Sequence, residues 1–143
     1  MASYNKINDF VDQLCQAVHN LSTHSLKCLL TNSAPSASTS AVKADLTEIS
    51  AGNGYTAGGA SATNTWNEAS GTGTWTGTKI TWTASGAVGP FRYVVLYNDT
   101  PTSPADPLIA WWDYGSSISL ASGETFSVKF NSSDTTGTIF TIT

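Results

Sequence analysis

Most of the chain consists of short apolar or alternating runs, each bounded by Gly, Pro, Asn, Asp or Ser. In residues 78–84, Ile80 and Trp82 alternate with polar side chains, as in a strand with one face in water. Residues 118–130 carry two such runs around a turn and predict a hairpin. The full set of runs predicts about seven to nine strands. We therefore expect a mainly β fold, either an antiparallel β-sandwich or a partly closed barrel.

Two runs are apolar on both sides of the predicted strand, residues 91–97 and residues 108–114. Strands of this kind lie in the centre of a sheet that is covered on both faces. The three prolines of residues 98–107 predict a loop between them, because proline cannot donate to a β ladder. Residues 62–76 alternate Thr, Gly and Ser with two tryptophans and give the weakest pattern in the chain.

Helical periodicity is convincing only in residues 4–21. One face of this helix would carry six apolar residues: Ile7, Phe10, Val11, Leu14, Val18 and Leu21. Asp9 and Asp12 lie in its first half, where carboxylates favour the helix dipole. We predict one amphipathic N-terminal helix within residues 1–24 that covers a sheet of its own subunit, with docking onto a neighbouring subunit as the alternative.

The chain has 143 residues, which predicts one domain over residues 1–143, with the β part at residues 25–143. The net charge is −4 and the six basic residues are scattered, so no nucleic-acid partner is expected. Lys6, Asp9 and Asp12 interrupt the region where a secretory signal would need an apolar run. No segment is long enough to span a membrane, so no membrane partner is expected and synthesis is predicted in the cytoplasm.

The residues that carry chemistry are few. Cys15 and Cys28 predict two buried free thiols, since they lack the spacing of a zinc site. His19 and His24 follow the predicted helix, where a favourable charge at the helix end or solvent exposure explains them. The loop carboxylates, of which Asp99 is one, are expected to cap turns. We therefore predict no catalytic residue, no cofactor and no metal.

Two segments stand out as candidate contact surfaces. The glycine-rich stretch 51–59 predicts a shaped loop, because its glycines can adopt positive φ or admit another backbone. Trp111 and Trp112 are adjacent on a strand, so they point to opposite faces and cannot enter the same core. Exposed aromatic residues bind sugars and dominate protein interfaces. The candidate interface residues are Gly52, Asn53, Gly54, Tyr55, Trp111, Trp112 and Tyr114.

Several long segments resemble a family of small virion proteins of tailed bacteriophages. They are FVDQLCQAVHNL, HSLKCLLTN, KADLTEISAGNGYTAGG, GPFRYVVLYNDTPTSPADPLIAWWDYGSS and GETFSVKF. The resemblance covers nearly the whole chain and implies a non-enzymatic structural component. The first hypothesis that this resemblance implies is a capsid cement or decoration protein, which binds the major capsid protein of the same phage on the outer shell. A tail or fibre component is the nearby alternative.

The resemblance also implies a homodimer or homotrimer, located on the capsid exterior of the virion after synthesis in the host bacterial cytoplasm. A different class of function is a carbohydrate-binding adhesion module that stacks exposed Trp and Tyr on host glycans. The two are compatible, because a decoration protein can also make weak glycan contacts. A hydrolase is the third and weakest reading, since no paired carboxylates are recognisable in the sequence.

Overall fold

Two antiparallel β layers form the protein, as a computed structural model of residues 2–131 and 134–143 shows. The prediction of a mainly β, antiparallel protein with one N-terminal helix is confirmed, and the layers are sandwich-like, not a closed barrel. The elements are β1 (Asn5–Lys6), α1 (Asp9–Cys15), β2 (Leu26–Thr31), a 3₁₀ turn (Lys43–Asp45), β3 (Ala60–Ala62), β4 (Asn64–Ala69), β5 (Thr72–Thr78), β6 (Ile80–Thr83), β7 (Val88–Asn98), β8 (Leu108–Leu120), β9 (Thr125–Val128) and β10 (Thr136–Ile142).

The first layer is a five-stranded sheet in the order β1-β8-β7-β2-β3. Its centre is the pair β7 and β8, which correspond to the two runs that are apolar on both sides. Val94 and Val95 are adjacent on β7 and are 5% and 0% exposed. Because neighbouring strand residues point to opposite faces, both faces of β7 are covered.

The second layer covers one face of this sheet with two smaller sheets, β10-β5-β4 and β6-β9. Only Lys79 separates β5 from β6, and β10 and β9 pair with them in the same antiparallel sense. Strands β5 and β6 therefore follow one another with a one-residue break, and β10 and β9 pair with them in turn. The side chains of Phe126 and Phe130 point from it toward the first sheet, where they contact Phe91 and Trp112.

The segment with the weakest sequence pattern forms β3, β4 and β5. Strand β5 alternates in burial, but its buried side is made of Gly73, Trp75 and Gly77. A Cβ on Gly73 would lie 2.2 Å from the Trp66 ring, and one on Gly77 would lie 2.9 Å from the Phe130 ring. The glycines thus make room for rings from other strands, so the alternation is present in burial and hidden in hydrophobicity.

Residues 33–59 contact the first sheet in a largely irregular conformation. Leu108 donates its backbone N–H to the Ala41 carbonyl, and Ile49 donates to the Leu30 carbonyl. Thr31 and Glu48 form an isolated antiparallel bridge. These bonds fix the segment against the sheet although most of it lacks regular secondary structure.

The N-terminal helix is shorter than predicted. Asn5 and Lys6 form β1, which pairs with Trp111 and Ala110 of β8, so the helix cannot begin at residue 4. It ends near Gln16, because Ala17 has a left-handed φ of 61°. The reason is tertiary: strand pairing fixes Ile7 at one end, and Leu21 turns back into the core at the other. Phe10 packs on Phe140 of β10, so the helix contacts its own subunit as predicted.

Two predictions about single residues are wrong. Cys15 is exposed, because it lies on the outer side of the short helix, whereas Cys28 is buried as predicted and burial raises the pKa of its thiol. His19 is 5% exposed and does not lie in solvent. The reason is that the truncated helix lets the chain fold His19 under Phe10, with ring centroids 5.0 Å apart.

A buried polar cluster holds His19 in the neutral form. Asn98 Nδ2 lies 3.0 Å from His19 Nδ1, and His19 Nε2 lies 3.1 Å from Gln13 Oε1. The Asn98 amide is oriented by Thr100, whose N–H donates to Asn98 Oδ1. Nδ1 of His19 therefore accepts and Nε2 donates. Burial, with a smaller contribution from His24, lowers the pKa of His19 to about 4.

We expect acid to destabilise the protein through His19. Its folded-state pKa of about 4 lies below the usual value of 6.5. Between these values the unfolded chain binds a proton that the folded protein excludes, so stability falls as pH drops from about 6.5 to about 4, with a slope of up to about 1.4 kcal/mol per pH unit. Urea unfolding from pH 7 to pH 4 measures this slope.

The control is His19→Gln, which removes the titrating group and keeps a polar side chain. Its unfolding free energy should depend less steeply on pH than that of the native protein over the same interval. Equal slopes for both proteins would show that His19 does not carry the effect.

Candidate functional site

The predicted loop residues divide into an exposed tip and a buried anchor. Gly52, Asn53 and Gly54 are exposed, whereas Tyr55 is only 2% exposed. The Tyr55 hydroxyl donates to Glu48 Oε1 at 2.6 Å and accepts from the Leu30 N–H at 3.0 Å. Burial, and then the bond to Glu48, raise the pKa of Tyr55. Its side chain holds the loop in place and offers no accessible contact.

Close backbone approach explains the glycines of this loop. Gly54 has a φ of +96°, and a Cβ there would lie 2.2 Å from the Thr83 carbonyl oxygen. Gly58 donates its N–H to Glu48 Oε1 at 2.6 Å and accepts from the Tyr97 hydroxyl at 2.7 Å. The approach at Gly54 leaves no room for a side chain, and Gly58 has a φ of +88°, which favours glycine. The loop is therefore shaped, as its composition predicted, and hydrogen bonds to Glu48 and Tyr97 anchor it.

Backbone hydrogen bonds join the loop tip to two turns. Ser85 donates its N–H to the Asn53 carbonyl at 2.9 Å, and Gly123 donates to the Ala84 carbonyl at 2.7 Å. We call this surface the loop end and define it as residues 52–54, 85–87 and 121–124. Apart from Glu124, its side chains are small and uncharged.

The two adjacent tryptophans lie on opposite faces of β8, as predicted. Trp112 packs edge-on against Tyr4, with centroids 5.7 Å apart, and against Phe130 at 5.8 Å. Trp111 faces the other way, opposite Asn5 of β1 and Val95 of β7. Both rings are partly buried against the core. Only Trp112 therefore faces the second layer.

An open groove of about 340 Å³ lies between the first sheet and strands β9 and β10. We call it the aromatic groove and define it by its rings: Tyr4, Trp112, Tyr114, Phe126 and Phe130. Its polar lining includes Ser127, Lys129 and Thr138. Partial covering raises the pKa of Tyr4 to about 12.

Sequence reasoning found only two of the five groove rings, Trp112 and Tyr114. The alternation in residues 125–130 marked Phe126 and Phe130 as one apolar face, which is typical of core. Nothing in the sequence shows that the first sheet and strands β9 and β10 are separated by a groove at these residues. Tyr4 was placed in a predicted helix, and its contact with Trp112 exists only because β1 pairs with β8.

A bulge in β8 presents Tyr114 at the groove. Tyr93 pairs with Asp113 and Phe91 with Ile118, so two steps along β7 span five along β8. Residues 114–117 lie opposite the single residue Arg92 and are exposed, and Gly115 takes a φ of +99°. Tyr114 is 56% exposed and lies 6.0 Å from Phe126. Tyr114 lies on the same side of β8 as Trp112, as strand alternation requires, and it is the first residue of the bulge.

An ion pair fixes the base of the bulge. Arg92 donates through Nε and Nη2 to the two oxygens of Asp113, both at 2.8 Å. The Gly115 N–H donates to Asp113 Oδ1 at 2.7 Å. The bonds from Arg92, and then the one from Gly115, lower the pKa of Asp113. The side chain of Asp113 therefore joins β7 to the first turn of the bulge.

The loop carboxylates are engaged in ion pairs. Asp99 pairs with Lys27 at 2.7 Å, and Asp106 lies 4.0 Å from Lys43. Within residues 2–131 and 134–143, no group of three or more His, Cys, Asp or Glu side chains is placed to hold a metal ion. Across the same residues, no helix has the length and apolar character needed to cross a bilayer.

Comparison with known proteins does not extend this description. A scan against protein-family models and searches of curated proteins and of solved structures found no match to the chain. The surfaces described above are therefore the basis for a functional proposal, together with the sequence resemblance.

We expect Gly54→Ala to destabilise the protein by more than about 2 kcal/mol, because it adds a clash with the Thr83 carbonyl to the strain of positive φ. The matched control is Gly123→Ala, which has a φ of +89° and no neighbour within 4 Å of the added Cβ. It should lose only about 1 kcal/mol. Urea unfolding measures both, and equal losses would contradict a close approach at Gly54.

Proposed function

We propose that the protein is a non-enzymatic structural component of a tailed-phage virion. In this proposal it is a cement or decoration protein that binds the major capsid protein on the outer shell and stabilises it. The motifs quoted above support the class, since they resemble small virion proteins over nearly the whole chain. The loop end supports the proposed contact with the shell.

The hydrogen-bonded loop end is the observation that carries the proposal. Stable association requires close fit and penalises the ordering of flexible segments. The loop end meets both conditions, because backbone bonds already order it and its small side chains let a partner backbone approach. The exposed candidates Gly52, Asn53 and Gly54 lie in it. We assign the shell contact to this surface.

Assembly as a homodimer or homotrimer is part of the same proposal. A shell offers symmetry-related sites, so an oligomer engages several at once and gains avidity from contacts that are individually weak. The location proposed for the assembled protein is the capsid exterior, after synthesis in the host cytoplasm.

We expect purified virions to contain the protein in on the order of hundreds of copies, one set for each symmetry-related shell site. Quantitative mass spectrometry against the major capsid protein measures the ratio. A count of about three to twelve copies would assign the protein to a tail, fibre or portal vertex. Its absence from virions would contradict both assignments.

We expect Ser85→Arg to abolish attachment to the shell, because it places a long charged side chain in the middle of the loop end. Ser85 is exposed, so the variant should fold normally. The control is Asn67→Arg, which is also exposed. Asn67 lies on β4 and pairs with Thr74, near the end of β5 that is farther from β6. Co-sedimentation with shells lacking the protein should fail for Ser85→Arg and succeed for Asn67→Arg. The same result for both variants would show that the loop end is not the contact.

A further inference from the structure

We propose that the aromatic groove binds a neutral oligosaccharide. This inference goes beyond the proposed function, since the groove and the loop end are different sets of residues. It rests on three observations: the kind of rings that line the groove, the polar groups between them, and the bulge that fixes one ring in position.

The rings at the mouth of the groove are the first observation. Tyr4 and Tyr114 are 37% and 56% exposed and Trp112 is partly buried, although each packs against another ring. Each packs edge-on, at interplanar angles of 71° for Tyr4 with Trp112 and 67° for Tyr114 with Phe126. Tyr and Trp combine an apolar ring with a polar group, so they suit a ligand with apolar and polar parts.

The polar lining distinguishes a saccharide from an apolar ligand. Thr138 lines the groove, and its two tyrosines, Tyr4 and Tyr114, carry phenol hydroxyls, whereas the Ser127 hydroxyl is already bonded to Thr81. A pyranose ring places C–H groups on its faces and hydroxyls around its rim, so it can pack on the aromatic rings and bond the polar groups together. A lipid chain or an apolar peptide side chain would cover these polar groups without pairing them, at a cost in affinity.

Charge and size narrow the ligand class. Lys129 is the one Lys, Arg, His, Asp or Glu among the described residues that line the groove, and it pairs with Asp134. An anionic sugar would have to compete with this carboxylate, so a neutral one fits better. The volume of about 340 Å³ is at the lower end of ligand sites, which span about 300–1,000 Å³. It suits a short segment of a sugar chain.

The bulge makes the site preorganised. Tyr114 lies two residues after Trp112 and therefore on the same face of β8. The bonds of Asp113 to Arg92 and to the Gly115 N–H hold the backbone on both sides of Tyr114. A ring that is already in position does not lose freedom when the ligand binds. Arg92 and Asp113 are thus positioning residues for the site, since neither lines the groove itself.

The test uses the full chain with cellotetraose, maltotetraose and the tetramer of N-acetylglucosamine, followed by calorimetry and by NMR of the indole N–H signals. We expect one of the three to bind with a Kd of about 0.1–1 mM and to shift the Trp112 signal. Tyr114→Ala and Trp112→Ala should each weaken binding at least about tenfold. Tyr114→Ala serves as the second variant if Trp112→Ala fails to fold.

Trp111→Ala is the matched control, because Trp111 is the adjacent tryptophan, is also partly buried, and faces away from the groove. It should bind the sugar as the native protein does. Arg92→Ala removes no side chain that lines the groove, but it removes the support of the backbone beside Tyr114 and should weaken binding about fivefold. Arg92→Lys, which keeps the charge, should restore part of the loss.

Three results would overturn the inference. They are no binding of any of the three sugars at about 10 mM, binding that survives Tyr114→Ala and Trp112→Ala, and occupation of the groove by dodecyl maltoside through its alkyl chain when maltotetraose does not bind. None of these results bears on shell attachment, which Ser85→Arg tests separately. Conversely, failure of shell attachment leaves the sugar measurements intact.

Discussion

Residues 94–98 of strand β7 are buried on both faces of the sheet, and the other elements pack around this strand. Each of its buried apolar side chains contributes roughly 1.5–3 kcal/mol only if both faces are covered. Strands β2 and β8 form backbone hydrogen bonds with the two edges of β7, and the second layer covers one face of the sheet. Residues 33–59 bond to the same sheet, where Lys43 lies over the Tyr97 ring. The irregular segment is thus part of the packing around this sheet, and its Leu46 and Ile49 lie against the core.

The same central pair generates the groove. Strand β8 is much longer than β1, which pairs with it only at Ala110 and Trp111, so its later residues lack a neighbour on that side within the described chain. This freedom permits the bulge at 114–117, and the ion pair between Arg92 and Asp113 gives the bulge a fixed shape. An exposed ion pair of this kind adds little to stability. Its effect is local, because Asp113 also accepts from the Gly115 N–H and so holds the backbone on both sides of Tyr114.

The polar interior has a comparable role at the N-terminal end. His19, Gln13 and Asn98 are buried and bonded to one another, so each satisfies a partner that would otherwise be costly to bury. They join the segment after α1 to the end of β7. A helix of seven residues is too short to be stable alone. Its position therefore depends on this cluster and on the packing of Phe10.

The sequence by itself determined the fold class, the two-sided central strands, the shaped glycine loop and the opposite orientation of Trp111 and Trp112. These follow from periodicity and backbone sterics, which act between near neighbours in the chain. Tertiary structure alone decided the length of the helix and the burial of His19 and Tyr55. It also decided that the Trp66 and Phe130 rings pack against Gly73 and Gly77 of β5. It also decided that Tyr4, Phe126 and Phe130 meet Trp112 in an open groove. Each of these depends on contacts between residues far apart in sequence, and no local pattern encodes where two layers separate.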